Sequence, residues 1–220
     1  MAPEPGPGPT DAREFRHLLR RNNALLSLSW AHLLNDGASN YLPGVLPAVL
    51  VSLHDPLSLA GVLTAALIAG QAAQPLTGWL ADRVGGRLLS PLGLLMSSLG
   101  GGLIGLAHST AALVGLLLVI GLGGAAFHPQ ALAAIRRMGG SGHGLRTSIF
   151  LVGGELGRGL WPTAASVVVE HMGLDGLWVV GVPGLLSVPL LWRATPKQPR
   201  RPLDAARIDW RHHAKPLSLL

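Results

Sequence analysis

The sequence predicts an all-α membrane protein with six transmembrane helices. Apolar residues make up 49% of the 220 residues, only 13% are charged, and the mean hydropathy is +0.42. Six apolar runs alternate with short polar connections, and most approach or exceed the ~20 residues that a helix needs to cross about 30 Å of hydrocarbon. This composition is typical of polytopic membrane proteins and not of soluble domains.

The predicted helices follow one another with short loops between them. Their apolar runs cover residues 24–53, 58–80, 88–107, 110–135, 147–169 and 176–192. Pro43 and Pro47 interrupt backbone hydrogen bonding in the outer half of the first helix and predict a bend there.

Three regions are expected along the chain. Residues 1–22 form a flexible, basic cytoplasmic N-terminus, 23–193 a six-helix transmembrane domain, and 194–220 a basic cytoplasmic linker. The last residues, KPLSLL, resemble the start of a seventh span that stops too soon to cross a bilayer. We therefore expect the chain to be the N-terminal part of a longer protein.

Positive charges are predicted to lie on one side of the membrane. Of the 17 Lys and Arg residues, all but Arg158 lie in the N-terminus, the second and fourth loops and the tail. The connections after the first, third and fifth helices contain none. By the positive-inside rule, both termini are predicted to be cytoplasmic, in a multi-pass protein of the plasma membrane, which is the inner membrane in bacteria.

Composition excludes several classes of function. A net charge of +6 would indicate nucleic acid in a soluble protein, but here it sets topology, and no basic stripe carries interleaved exposed aromatics. The absence of cysteine excludes disulfides, thiolate catalysis and thiolate metal sites. His212 and His213 lack carboxylate or cysteine neighbours at ligand spacing, so neither a metal nor another cofactor is expected.

Polar residues share one face of the first helix at spacings of three and four positions. They are His32, Asn35, Asp36 and Asn40. Counted from a boundary near residue 25, Asp36 lies roughly 16 Å deep, close to the bilayer midplane. A carboxylate there needs a partner or a water-filled cavity. We predict a substrate or proton site at Asp36, with His32 as a relay or orienting partner, and a structural hydrogen bond as the alternative.

Three other helices carry polar candidates for the same pathway. Glu155 and Arg158 in the fifth helix are three residues apart. They form either a structural ion pair or a pair of charges in a cavity, which separates when an anion or a proton arrives. Gln71 in the second helix is expected to form an interhelical hydrogen bond. His128 in the fourth precedes a proline, where it either caps the carbonyl that the proline frees or has a functional role.

The loop between helices two and three carries a further motif, Gly78-Trp-Leu-Ala-Asp82-Arg83-Val-Gly85-Gly86-Arg87. The glycines permit a tight cytoplasmic turn, while the carboxylate and the arginines can exchange ion-pair partners as helices slide. We therefore predict a cytoplasmic gate formed by Gly78, Asp82, Arg83, Gly85 and Arg87.

In a six-helix context this pattern, G-x-x-x-D-R-x-G-x-R, resembles the signature of the major facilitator superfamily. Four segments are more specifically similar to the fosmidomycin resistance protein family of drug efflux transporters. They are Ala31 to Asp36, Gln74-Pro75 with the loop that follows, Ala126 to Pro129, and Gly142 to Gly154. The resemblance covers residues 24–193 and corresponds to the first half of such a transporter.

This resemblance implies the N-terminal half of a major facilitator fold, built from two three-helix repeats, with the substrate site facing a second half or a second copy. It implies proton-coupled export of a small drug-like or anionic compound by alternating access, an antiport connected with antibiotic resistance. Glu155 stands where the family commonly has Asn, which implies a different cavity charge. Trp161 stands where the family commonly has Gly, which puts in question the close helix contact that glycine normally makes there.

Two other functions stay open. A non-transporting membrane subunit, or a split transporter fragment that acts only with a partner, would contain the same six helices. An intramembrane hydrolase would need a Ser/His pair inside adjacent spans. The candidates Ser141 and His143 lie in a short basic loop instead, so we do not expect an enzyme.

Overall fold

The computed structural model describes residues 9–85, 87–138, 142–197 and 199, with side chains from residue 22 onward. Eight α-helices occur in these residues: α1 (Pro9–Asn40), α2 (Leu42–Ser52), α3 (Ala60–Gln71), α4 (Gln74–Val84), α5 (Leu89–Leu103), α6 (Thr110–Arg137), α7 (His143–Met172) and α8 (Trp178–Ala194). Short 3₁₀ turns cover Leu57–Leu59, Ile104–Leu106 and Leu174–Leu177. Because α1 with α2 and α3 with α4 each form one broken span, the prediction of an all-α fold with six spans is confirmed.

The first span breaks at Tyr41. Pro43 lies in the first turn of α2 and has no N–H, so the hydrogen-bond ladder of α1 cannot continue through it. Tyr41 is fully buried, and its hydroxyl donates to the carbonyl of Gly101 on α5. The predicted bend is thus confirmed just before Pro43, whereas Pro47 lies inside α2.

Helix α1 begins at Pro9, well before the apolar run that starts at residue 24. Residues 10–22 contain good helix formers and no proline or glycine, which favours extension of the helix toward the N-terminus. The backbone of residues 9–22 is therefore helical where a flexible segment was expected. The predicted start of a seventh span lies outside the described residues.

Four segments of the described chain are long and apolar enough to cross a membrane: Leu57–Val84, Leu89–Leu106, Thr110–Arg137 and Leu174–Ala194. The other two spans, α1 with α2 and α7, contain the ionisable residues His32, Asp36, Glu155 and Arg158. Helices α1 and α7 pack against each other, so the polar groups of both spans meet at one helix pair.

Close helix contacts depend on glycines. A Cβ atom on Gly157 of α7 would collide with the carbonyl of Leu33 on α1. The indole ring of Trp161 packs directly over Gly37, where a Cβ would overlap it. The close α1–α7 contact is therefore retained despite Trp161, because glycines at positions 37 and 157 provide the space.

Candidate functional site

A buried carboxylate, that of Asp36, joins three helices. Its Oδ1 atom lies 2.9 Å from Nε2 of His128 on α6, and its Oδ2 atom lies 3.0 Å from an Nη atom of Arg158 on α7. His32, one turn earlier on α1, places Nε2 3.4 Å from Oδ2, and Asn35 donates from Nδ2 to Oδ1 over 3.2 Å. The Asp36 side chain is only 2% exposed. We call these residues the Asp36 cluster.

Both imidazoles of the Asp36 cluster are oriented by backbone carbonyls. His32 Nδ1 lies 2.8 Å from the carbonyl oxygen of Phe150, and His128 Nδ1 lies 2.7 Å from that of Gly124. A carbonyl oxygen only accepts, so each Nδ1 carries the ring hydrogen, and Nε2 bears a lone pair unless the ring is cationic. An ionised carboxylate also only accepts. The 2.9 Å contact between His128 and Asp36 therefore requires a proton on one of these two groups.

The aromatic surroundings hold His32 in place. Its ring stacks on that of Phe150, with centroids 4.2 Å apart and an interplanar angle of 17°. The His128 ring meets it edge-on at 5.2 Å. Gly154 of α7 makes room, because a Cβ there would collide with the His32 ring. The two imidazoles thus lie in fixed orientations beside the same carboxylate.

Arg158 bridges two carboxylates of very different exposure. One Nη atom lies 3.1 Å from Oε1 of Glu155, the predicted partner on the same helix, and the other contacts Asp36. The Glu155 side chain is 71% exposed and that of Arg158 is 50% exposed. With neutral imidazoles the two carboxylates exceed the one guanidinium by one negative charge, so a single added proton would neutralise the group.

The structure distinguishes between the two interpretations of His128, beside the proline of α6. Pro129 has no N–H, and the carbonyl four residues earlier, that of Ala125, accepts a hydrogen bond from the Thr77 hydroxyl of α4 instead. His128 bonds to the carbonyl of Gly124 and reaches Asp36 with its other nitrogen. The capping interpretation of His128 is therefore wrong, and its side chain belongs to the Asp36 cluster.

Two other predicted polar residues lie apart from the carboxylate of Asp36. Asn40 donates over 2.7 Å to the backbone carbonyl of Asp36, not to its side chain. Gln71 is half-buried at the end of α3, and within the described part of the chain it makes no hydrogen bond to the Asp36 cluster. A role for Gln71 in the pathway stays a prediction.

The predicted gate motif begins on α4 and turns at Gly85. Helix α4 ends at Val84, and Gly85 has a φ of 65°, a conformation that favours glycine. A Cβ on Gly78 would make only ordinary contact with Pro129 of α6. Residue 86 lies outside the described residues.

The arginines of this motif lie over tryptophan rings. The Arg83 guanidinium carbon is 3.9 Å from the Trp79 ring centroid, and that of Arg87 is 5.0 Å from the Trp192 ring centroid on α8. Asp82 is also partnered. The cation–π contacts are a feature that the ion-pair interpretation of the motif missed, although the tryptophans were visible in the sequence.

His32, Asp36 and His128 also offer a donor set suitable for a metal ion, with ligand atoms within 4.8 Å of one another. Each imidazole donates its other nitrogen's hydrogen to a carbonyl, as metal-binding histidines do. The Arg158 guanidinium, however, already brings a positive charge to this carboxylate. His212, His213 and Ser141, weighed above for metal binding and catalysis, lie outside the described residues.

The convergence of α6 and α7 on Asp36 was only partly visible in the sequence. The sequence placed Asp36 and the pair Glu155 and Arg158 near mid-depth and His128 in the cytoplasmic half of its helix. No local pattern joined Arg158 or His128 to Asp36. The carbonyls of Phe150 and Gly124 carried no signal, because every residue has such a group.

A family model described as the Major Facilitator Superfamily matches residues 28–219 of this chain. The chain is 29% identical over 167 residues to the fosmidomycin resistance protein of Escherichia coli (strain K12), covering 75% of this chain and 41% of that protein. It is 29% identical over 174 residues to the uncharacterized MFS-type transporter YfnC of Bacillus subtilis (strain 168), covering 77% of this chain and 42% of that protein.

Among solved structures, the fold is similar to that of a bacterial homolog of the human lysosomal transporter Spinster in an inward-facing, unoccupied conformation. The TM-score is 0.72 at 21% sequence identity, over 83% of this chain and 44% of the other. This likeness shows the fold. The chain spans less than half the length of each of these relatives.

Proposed function

The chain belongs to the Major Facilitator Superfamily, a family of membrane transporters, and from this premise we propose that it forms one half of a proton-coupled exporter of small, drug-like compounds. In this proposal a second six-helix half, or a second copy of the chain, faces it across the substrate site and the two rock about that site. The similarity to a fosmidomycin resistance protein supports a drug-like substrate.

The observation that carries the proposal is the convergence of His128 and Arg158 on the carboxylate of Asp36. These three residues lie on α6, α7 and α1, so a change in the protonation of one group alters contacts between three helices. A carboxylate buried at mid-membrane depth is costly, and ionisable groups in such places commonly serve ion or proton pathways.

The proton site of this proposal is the contact between His128 Nε2 and Asp36 Oδ1. With the proton present, the imidazolium N–H donates to the carboxylate, and Asp36 no longer depends on Arg158 for its countercharge. When the proton leaves, both atoms are acceptors, and Arg158 is the cation that neutralises Asp36. The presence of this proton therefore determines how strongly Asp36 attracts the guanidinium of Arg158, which Glu155 also contacts.

The charge of the substrate determines whether the proton and the substrate move in opposite directions or in the same direction. A compound with a cationic or hydrogen-bond-donating group competes with the proton for Asp36 and Glu155, which is the requirement for antiport. An anion would bind Arg158, whose half-exposed side chain is accessible. Protonation of the Asp36 cluster would favour that anion, so proton and anion would move in the same direction. We propose antiport for compounds of the first kind.

Exposed apolar side chains are consistent with a partner half and a surrounding bilayer. Ile68 on α3, Leu76 on α4 and Leu160 on α7 are 56%, 65% and 56% exposed. We propose that such surfaces are covered by the second half and by lipid, in a bacterial plasma membrane with both termini in the cytoplasm. The chain acts as a transporter and not as an enzyme in this proposal.

The test uses the full chain produced together with the second half of the Escherichia coli relative. Everted membrane vesicles are energised, a pH-sensitive dye reports proton release on addition of each compound, and fosmidomycin, a lipophilic cation and a small organic anion are compared. Asp36→Asn and His128→Gln are expected to abolish compound-dependent proton release while membrane insertion is retained, because neither amide exchanges a proton.

His171→Gln is the matched control. Its Nδ1 also bonds to the carbonyl four residues earlier, that of Val167, over 2.9 Å, but its side chain is exposed. This variant is expected to behave like the unaltered chain. Proton release that persists in both Asp36→Asn and His128→Gln would leave the Asp36 cluster with a structural role.

A further inference from the structure

A second polar site lies away from the Asp36 cluster, at the end of the bundle that contains the Gly85 turn. It is a cavity of about 820 Å³ between residues 23–27 in the middle of α1, Arg87 after the turn and the C-terminal ends of α6 and α8. Cationic side chains that line it are Arg87, Arg193 and Lys197. No carboxylate of the described residues lines it.

Arg87 forms part of the wall of this cavity. Its side chain is half-buried, and its Nε atom is buried without a hydrogen-bond partner among the described residues. The Trp192 ring holds the guanidinium by a cation–π contact at 5.0 Å. The Arg87 Nε atom is closed off from the cavity, so an anionic oxygen bound there would meet the part of this half-buried side chain that lines the cavity, where a charge-assisted hydrogen bond can form.

The rest of the lining consists of apolar and uncharged polar residues. Leu26 on α1 is 62% exposed and Leu190 on α8 is 53% exposed. Met138 after α6 also lines the cavity, together with the polar residues Asn23, Ser27 and Thr195. A soluble anion needs only the cationic part. A ligand with a phosphate and hydrocarbon chains uses both parts, and at this position the helix ends carry the positive charge typical of a headgroup region.

We propose that this cavity binds the phosphate of an anionic phospholipid, with Arg87, Arg193 and Lys197 around the headgroup and Leu26 and Leu190 against the start of an acyl chain. The site is separate from the Asp36 cluster and does not depend on proton coupling or on any substrate. Its occupant would link α1, α8 and the turn that follows α4.

The test is native mass spectrometry of the full chain in detergent, titrated with phosphatidylglycerol or phosphatidylcholine, with inorganic phosphate as a competitor. Phosphatidylglycerol is expected to bind in preference to phosphatidylcholine. Arg193→Gln and Lys197→Gln should each weaken its binding about fivefold, and together about 25-fold, from the ~1 kcal/mol that one basic residue contributes near an anionic surface.

Arg136→Gln is the matched control. Arg136 lies in the last turn of α6 as Arg193 lies in the last turn of α8, and both are exposed, but Arg136 does not line the cavity. It should leave lipid binding unchanged, and Arg193→Lys should retain most of it. Thermal unfolding without lipid checks that each variant is folded.

Three results would overturn the proposal. One is equal binding of the two lipids. Another is an equal loss of phosphatidylglycerol binding in Arg136→Gln and Arg193→Gln, which would indicate general surface charge. The third is displacement of phosphatidylglycerol by inorganic phosphate at similar concentration, which would assign the cavity to a free phosphate-containing solute.

Discussion

Replacing Arg158 by glutamine is expected to destabilise the protein far more than replacing Glu155 by glutamine, although both changes remove the same ion pair on α7. The Glu155 side chain is 71% exposed, and exposed ion pairs contribute roughly 0–1 kcal/mol. The Asp36 side chain is 2% exposed, so once His128 has lost its proton the loss of Arg158 leaves a buried carboxylate without a cation, and the two variants are therefore compared at alkaline pH. Breaking such a pair costs about 3–5 kcal/mol, and the half-exposed guanidinium favours the lower value, about 3 kcal/mol.

Thermal unfolding of the purified chain in detergent measures this difference. For chains of 150–250 residues, about 1 kcal/mol corresponds to roughly 2–4 °C in Tm. Arg158→Gln should therefore lower Tm by about 6–12 °C, and Glu155→Gln by less than about 4 °C. The double variant Asp36→Asn, Arg158→Gln should recover most of the loss, because it removes the unpaired charge.

A structural ion pair confined to α7, one of the two alternatives that the sequence left open, would give the reverse dependence. An isolated pair on one helix would leave Arg158 without a partner in Glu155→Gln, and Glu155→Gln, Arg158→Gln would then restore the protein. In the structure Arg158 keeps Asp36 when Glu155 is neutralised. Equal Tm losses for the two single variants, or no recovery with Asp36→Asn, would refute the assignment of Arg158 to Asp36.

Four further outcomes are expected. A cysteine at His54 should react with an impermeant reagent in intact cells and one at Gly86 only after lysis; labelling of the latter in sealed cells would reverse the orientation. Thr77→Val should cost about 1–3 kcal/mol in thermal unfolding, since it strips the donor from a carbonyl that a proline leaves free. Gly157→Ala should cost about 1–3 kcal/mol by overpacking, whereas Gly159→Ala, which meets open space, should be neutral or slightly stabilising; similar Tm values for the two would contradict the close packing. Expressed alone, the chain should insert into membranes without conferring drug resistance, and resistance from a stable monomer would contradict the need for a second half.

The sequence by itself determined the features that depend on local composition. Six helical spans follow from runs of apolar residues, and the break near Pro43 follows from its missing N–H. Helical periodicity placed His32 and Asp36 on one face and Glu155 beside Arg158, and the structure has both pairs in contact. The gate turn at Gly85 was visible for the same reason, since a tight turn needs a residue that tolerates positive φ.

Only the tertiary structure decided which of these polar groups meet. Asp36 and His128 are 92 positions apart, and no periodicity within either helix specifies that their side chains touch. Their contact depends on how α1, α6 and α7 are rotated and how closely they approach, which glycines such as Gly157 and Gly154 permit by leaving space for a neighbouring carbonyl or ring. A single sequence shows that these residues are small or polar, but the distances that turn them into one site are set by the packing of all three helices together.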